Sequence, residues 1–82
     1  MTPEAAQFIK DGMKFLAAGL AMVGTIGAGL GIGIAGNGAV QGIARNPDAA
    51  GIIQTNMILA VAFAEAVAIY SLLVAQVILF TA

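Results

Sequence analysis

Residues 57–80, MILAVAFAEAVAIYSLLVAQVILF, decide the fold, because this apolar segment contains a single charged side chain, Glu65. A helix of this length extends about 36 Å, which is enough to cross a hydrocarbon layer of roughly 30 Å. Glu65 is then inside the membrane, where an ionised side chain costs at least about 2.5–3.5 kcal/mol. Intramembrane acids are typically functional, so the segment predicts an ion or proton site at Glu65. The alternative is a structural acid that stays protonated or bonds to a neighbouring helix.

The composition places the chain in the membrane class. Of its 82 residues, 61% are hydrophobic and 9% are charged, and neither cysteine nor histidine occurs. These values lie far outside the range of soluble proteins. The absence of cysteine excludes disulfides and thiolate ligands, and without histidine as well we predict no metal site. With three basic residues and a net charge of −1, the chain has no electrostatic surface for nucleic acid.

A second apolar run, residues 15–44, precedes the first and is rich in glycine. In lipid the backbone must satisfy its own hydrogen bonds. A helix does so, whereas an isolated pair of strands cannot close into a barrel, so we predict a helix. The run is also longer than the apolar core of a secretory signal. Residues 1–14 carry most of the charges, and Pro3 is suited to the first turn of a helix. They form either a short interfacial start of this helix or a frayed polar terminus.

Four glycines at two-residue spacing, Gly27, Gly29, Gly31 and Gly33, give the first helix two faces for close packing. At about 100° per residue, Gly27 and Gly31 share one face, and Gly29 and Gly33 share another roughly 160° away. Small residues let helices approach closely in membranes, so each copy can contact another copy on either side, and such contacts can close into a ring. The alternative is a single hairpin whose second glycine face packs on its own partner helix.

A polar cluster, Arg45, Asn46, Pro47 and Asp48, separates the two apolar runs. Proline disfavours helix at the residue before it, so the cluster predicts a turn. The predicted fold is therefore an all-α transmembrane two-helix hairpin in one domain, residues 1–82, that assembles into a homo-oligomeric ring. Helix 1 covers about 4–44, the turn 45–48 and helix 2 about 49–80. The turn either keeps the connection out of lipid or docks a water-soluble partner.

Folding the chain at the turn brings Glu65 opposite Ala28, within the range 27–32. No charged residue lies in that range, so the chain supplies no cation to Glu65, and a closed site favours the neutral acid. A carboxylic acid that ionises only where water or a cation reaches it is a carrier. Tyr70 lies five residues further on and about 140° around the helix. Its hydroxyl reaches the carboxyl group of a neighbouring copy or the edge of its own site. The alternative is that Tyr70 is an ordinary packing residue.

Taken together, these features resemble the c-subunit, or proteolipid, of F-type ATP synthases: the glycine repeat, the Arg45-Asn46-Pro47 turn, and a buried acid followed by Ile69 and Tyr70. In that family many hairpins form a ring with the glycine-rich helices inside. The acid carries a proton or a sodium ion past an arginine of the stator's a-subunit, and rotation of the ring drives the catalytic head. The resemblance implies that Glu65 is the ion carrier and that this chain is a non-catalytic subunit without a cofactor. The family usually has glutamine where this chain has Asn46, which is a minor departure.

The transported ion is predicted from two positions at which this chain differs from the sodium-binding members of that family. Sodium-binding members have a glutamine where this chain has Ile32, and a serine or threonine where it has Ala66. Sodium requires several oxygen ligands, and the side chains at these positions, like those of Ala62 and Val67, offer none. We therefore predict a proton site at Glu65. The residues expected to support it are Ala28, Ile32, Ala62, Phe63, Ala66 and Tyr70. A sodium-carrying ring and a non-rotary structural or pore-forming hairpin are the alternatives.

The resemblance also implies partners and a location. The expected partners are identical copies in the ring, the stator's a-subunit, the central stalk subunits gamma and epsilon at the turn, and membrane lipid. The expected location is a bacterial plasma membrane, crossed more than once, with the turn in the cytoplasm. The charges point weakly the other way, because Lys10 and Lys14 outnumber Arg45 and basic residues favour the cytoplasmic side. A difference of one basic residue is too small to decide the orientation.

Overall fold

The computed structural model describes residues 1–81, which form two antiparallel helical arms. The first arm consists of α1, Pro3–Ala21, and α2, Gly24–Arg45. A short 3₁₀ turn, Pro47–Ala49, leads into the second arm, α3, Ala50–Thr81. No strand occurs within the described residues. The predicted all-α hairpin of two long helical arms is thereby confirmed.

Local chemistry sets the ends of these helices. At the start of α1, the backbone N–H of Ala5 donates to Oγ1 of Thr2 over 3.1 Å, which is an N-terminal cap. At the end of α2, Asn46 leaves the helical conformation with φ −140° and ψ 80°. Its N–H donates to the carbonyl of Gly42 over 2.9 Å, and its own carbonyl accepts from Ala49 over 3.0 Å. Pro47 then starts the turn at a position where no N–H is needed.

The first arm differs from the continuous helix that the sequence predicts, because it is interrupted at Met22 and Val23. The hydroxyl of Thr25 donates to the carbonyl of Met22 over 2.7 Å and competes with the regular helical pattern. Around this point the backbone bonds reach three residues back, as in a 3₁₀ helix. These bonds are Val23 to Leu20 (3.1 Å), Thr25 to Met22 (3.0 Å) and Ile26 to Val23 (3.0 Å).

The hairpin has almost no interior of its own. Its only buried hydrophobic residues among those described are four alanines, Ala18, Ala28, Ala39 and Ala75. Large apolar side chains face outward, as shown by Leu30 at 63% exposure and Phe63 at 73%. Both arms are long and apolar enough to cross a membrane, and few of their residues are buried within the hairpin. Their outer surfaces therefore require lipid or further helices as neighbours.

Among the glycines of the first arm, Gly24 lies closest to α3: an added Cβ there would overlap the hydroxyl of Ser71 and lie 3.3 Å from its Cβ. We expect Gly24→Ala to weaken the packing of the arms by about 1–3 kcal/mol, because the added methyl group overfills the contact. Separation of a fluorophore pair on the two arms during titration with dodecyl sulfate measures this loss.

The matched control for Gly24→Ala is Gly27→Ala, because an added Cβ at Gly27 meets nothing within 4 Å. The double variant Gly24→Ala with Ser71→Gly should regain stability, since it removes the side chain that the new methyl group meets. Equal stability of the Gly24 and Gly27 variants would contradict the contact.

Candidate functional site

Glu65 lies near the middle of α3 and is exposed on the surface of the single hairpin. Within residues 1–81 it has neither a hydrogen bond nor an ion pair. The other charged side chains lie toward the ends of the arms. Lys14 is the last of them before the apolar residues 15–44, and Arg45 and Asp48 lie at the turn. The central apolar part of the molecule therefore carries one ionisable carboxyl group without a neutralising partner from its own chain.

Two close contacts fix the register of the arms. Gly24 lies against Ser71, and an added Cβ at Gly42 would lie 3.3 Å from Cδ1 of Ile53. The two contacts are 18 residues apart on each arm (24 to 42, and 53 to 71), so the register is constant between them. Glu65 precedes Ser71 by six residues, and its height therefore matches Leu30, six residues after Gly24. Leu30 lies within the range 27–32 that folding at the turn predicts.

The hairpin has two lateral sides, one on either side of the line of contact between the arms. In an antiparallel pair of right-handed helices, the residues that follow inward-facing positions lie on the same side of both arms. A surface groove illustrates this, because it is lined by Gly19 and Gln76, which follow the buried Ala18 and Ala75. Residues that precede inward-facing positions lie on the opposite side.

Glu65 and two of the repeat glycines lie on one lateral side, which we call the Glu65 side. Glu65 follows the half-buried Ala64 of α3. On α2, Gly29 follows the buried Ala28, and Gly33 follows the half-buried Ile32. An added Cβ at either glycine would meet nothing within 4 Å. The carboxyl group therefore lies beside an open strip of backbone at about its own height.

The other two repeat glycines lie on the opposite lateral side, which we call the Tyr70 side. Gly27 and Gly31 precede Ala28 and Ile32, and an added Cβ at each again meets open space. On α3 this side carries Phe63, 73% exposed, and Tyr70, 65% exposed. Neither glycine pair packs on α3, so the alternative in which the second glycine face contacts its own partner helix is wrong. Alanines occupy the contact between the arms instead.

The six residues expected to support Glu65 are divided by this geometry. Ala28 and Ile32 lie on the inner face of α2 near the height of Glu65. Ala62 is exposed one turn before Glu65, and Ala66 follows it on the side of α3 away from the first arm. Phe63 and Tyr70 belong to the opposite lateral side. Within one hairpin the structure therefore does not bring these two aromatic side chains to Glu65, and their supporting role stays a prediction that requires a neighbouring copy.

The turn residues Arg45, Asn46 and Pro47 lie at one end of the hairpin and are all exposed. Asp48, in the short 3₁₀ turn, is exposed as well. This end therefore presents a compact polar surface of backbone groups and two opposite charges. Such a surface is accessible to a water-soluble partner if the apolar parts of both arms are in lipid.

Sequence reasoning missed the two contacts that set the register, Gly24 with Ser71 and Gly42 with Ile53. A signal for them exists in the spacing. Eighteen residues correspond to about five turns of an α-helix, so Gly24 and Gly42 fall on nearly the same face. A glycine pair at that spacing marks two places where one helix can approach another closely.

Comparisons with known proteins all point to one family. The family model for the ATP synthase C-subunit matches residues 16–78. The ATP synthase c-subunit of Dehalococcoides mccartyi is 59% identical over 73 residues, covering 88% of this chain and 96% of that protein. The c-subunit of Ruminiclostridium cellulolyticum is 52% identical over 69 residues, covering 84% and 91%. That of Clostridium acetobutylicum is 46% identical over 69 residues, covering 84% and 85%.

Proposed function

Because the chain belongs to the ATP synthase c-subunit family, the rotor-ring component of that membrane complex, we propose that it carries protons across the membrane by reversible protonation of Glu65. The observation that carries this proposal is the isolation of Glu65, which is the one carboxyl group in the middle of an apolar helix and has no partner within residues 1–81. Such a group is stable in lipid as the neutral acid and ionises where water or a cation reaches it. The protein itself makes and breaks no covalent bond in a substrate.

Assembly of identical copies completes the site in this proposal. The two lateral sides carry open glycines, so the Tyr70 side of one copy can pack closely on the Glu65 side of the next. The exposed Phe63 and Tyr70 of the first copy then cover the carboxyl group of the second. This contact joins two different surfaces of each copy, so its repetition around an axis forms a ring when the rotation between copies closes. Each carboxyl group is thereby shielded between two hairpins.

The surroundings of Glu65 favour a proton over a sodium ion. Sodium is a hard cation that requires several oxygen ligands. The neighbouring side chains Ile32, Ala62 and Ala66 are hydrocarbon, and near the height of Glu65 the polar side chain on the Tyr70 side of an adjoining copy is Tyr70 itself. A proton requires only the carboxyl group itself. A sodium-carrying ring is therefore the competing hypothesis, and carbodiimide labelling distinguishes it from a proton-carrying ring.

The remaining partners follow from the family and from the exposed ends of the hairpin. We propose that an arginine of the stator's a-subunit meets Glu65 from the lipid side, and that the turn at Arg45, Asn46 and Pro47 contacts the stalk subunits gamma and epsilon. The exposure of the whole turn supports this assignment. The proposed location is a bacterial plasma membrane with the turn in the cytoplasm, and membrane lipid covers the outward-facing apolar side chains.

Carbodiimide labelling distinguishes the two ions. We expect a hydrophobic carbodiimide to modify Glu65 in the assembled ring, at a rate that falls as pH rises, because the reagent reacts with the protonated acid. Mass spectrometry of the protein measures the modification. Sodium at millimolar concentration and fixed pH should leave the rate unchanged.

An internal control for the labelling is Glu4, which lies exposed in the first turn of α1 outside the apolar segments. A hydrophobic reagent should leave it largely unmodified, and Glu65→Gln should remove the labelled species. Protection of Glu65 by sodium at constant pH would overturn the assignment of the proton and favour the sodium-carrying ring.

A further inference from the structure

Three polar side chains of α3 lie on one face of the helix. Gln54 precedes Glu65 by 11 residues, and Gln76 follows it by 11 residues. Eleven residues are about three turns of an α-helix, with a residual rotation of only about 20°, and they span about 16 Å. All three side chains are exposed on the hairpin. Neither glutamine has a hydrogen-bond partner within the described part of the chain, residues 1–81.

This spacing matches the thickness of a membrane. The two glutamines are separated by about 33 Å along the helix, compared with a hydrocarbon layer of roughly 30 Å. Glu65 is halfway between them and hence near the middle of the layer. The same face carries Ile58 and Ala62 on the turn side of Glu65, and Ile69 and Leu72 on the side of the chain termini. Each half of the face is therefore apolar between one amide and the carboxyl group.

The first arm supports the boundary at the turn end. At the turn end, the constant register places Gln41 at the height of Gln54, and the amide of Gln41 donates to Oδ1 of Asn37 over 3.1 Å. Polar side chains of the first arm therefore lie between the heights of Ile58 and Gln54, and the central apolar surface of this arm ends there. At the other end, Gln76 is the one polar residue that lines the groove on the Glu65 side, together with Gly19 and Leu72.

We propose that Gln54 and Gln76 are the access residues of the Glu65 site, one for each side of the membrane. An amide has two donors and an acceptor, and burying it in hydrocarbon without partners is costly, so each amide keeps water at its edge of the layer. Protons on their way to or from Glu65 then pass Gln76 on the terminal side and Gln54 on the turn side. This inference rests on the proposed function. Because the intervening residues are apolar, the polar surface that carries water from each amide to Glu65 belongs to another protein of the complex.

Other charged groups do not occupy these positions. The charged side chains nearest to the terminal end are Asp11 and Lys14 of α1, and those nearest to the turn end are Arg45 and Asp48. All four lie farther from Glu65 along the arms than the amides do. Tyr70 is titratable and closer, but it lies on the opposite lateral side of its own hairpin. Gln54 and Gln76 are thus the first polar groups met on the face of Glu65 from either side.

The depth of the two glutamines can be measured first. The chain contains no cysteine, so single variants Gln54→Cys, Ile69→Cys and Gln76→Cys each accept one spin label. In the complete ATP synthase in liposomes, labels at positions 54 and 76 should be accessible to a water-soluble nickel chelate, whereas a label at position 69 should be accessible mainly to oxygen. A label at 54 or 76 that behaves like the one at 69 would overturn the inference.

Proton transport tests the role itself. In the complete complex we expect Gln54→Leu and Gln76→Leu to slow proton transport several-fold. Raising the proton concentration on the terminal side should relieve the slowing in Gln76→Leu, and raising it on the turn side should relieve it in Gln54→Leu. The matched control is Gln41→Leu, which removes an amide at the height of Gln54 from the other arm and should transport normally.

The outcomes separate this inference from the proposed function. Normal transport in both leucine variants, slowing that does not depend on the side, or equal slowing in Gln41→Leu would each overturn the assignment of the access residues. A purely structural role would slow transport from both sides alike. Glu65→Gln measured in the same liposomes tests the proposed function separately, because proton transport in that variant would show that Glu65 is not the carrier.

Discussion

Glu65→Gln is expected to abolish ATP synthesis driven by a proton gradient, because glutamine keeps the size and hydrogen-bonding capacity of the side chain but cannot release a proton. Each elementary charge that crosses a potential of 100 mV supplies about 2.3 kcal/mol, and a ring without an ionisable carrier cannot use this energy. ATP formation in liposomes that contain the complete complex, under an imposed proton gradient, measures the loss. We expect the assembled ring to persist in amounts similar to the unmodified protein.

The control for this substitution is Glu4→Gln, which changes an exposed carboxyl group in the first turn of α1 and should leave synthesis unchanged. Two results would contradict the proposed role of Glu65. Synthesis that continues in Glu65→Gln would mean that another group carries the ion. Loss of the ring in the same variant would instead indicate that the acid serves assembly, as in a non-rotary hairpin.

Gly31→Leu is expected to prevent assembly of the ring while leaving the single hairpin inserted and folded. An added Cβ at Gly31 meets nothing within 4 Å in one hairpin, so the fold itself tolerates a side chain there. The leucine occupies the strip of backbone that a second copy needs for close approach, and membrane helices associate chiefly through such packing. Size analysis of the membrane extract in mild detergent should show single hairpins in place of rings.

Gly12→Leu is the matched control, because Gly12 also has open space around an added Cβ but lies beyond the end of α3 by the register of the arms. It should assemble normally. Rings that form with Gly31→Leu would show that the Tyr70 side is not an interface between copies. A Gly31→Leu chain that fails to enter the membrane would point to a role in the hairpin itself, contrary to the open space at this residue.

The sequence alone predicts the hairpin, the turn and the approximate partner height of Glu65. These features depend on counts along the chain: the length of an apolar run, the position of Pro47, and the number of residues between the turn and Glu65. Helical rise is regular, so a count converts directly into a height. The structure places Glu65 level with Leu30, inside the predicted range of 27–32, for this reason.

Other features depend on competition between similar residues and could not be predicted. Glycine and alanine both permit close packing, so the spacing of the four glycines gave no means of choosing between a lateral and an inward position. The structure places alanines such as Ala28 in the contact between the arms and leaves Gly27 and Gly29 open. The interruption of the first arm coincides with a bond from the hydroxyl of Thr25 to the carbonyl of Met22, and threonine in a helix does not always interrupt it.

The interruption of the first arm also tightens its winding. Ala18 and Ala28 are both buried against α3, yet they are ten residues apart, which in an uninterrupted α-helix falls about 80° short of three full rotations. A residue in 3₁₀ conformation advances about 120° instead of about 100°, so the backbone bonds that reach three residues back from Val23, Thr25 and Ile26 reduce this shortfall. The tightened turn thus brings Ala18 closer in phase with Ala28, and α1 packs on α3 up to Ala75.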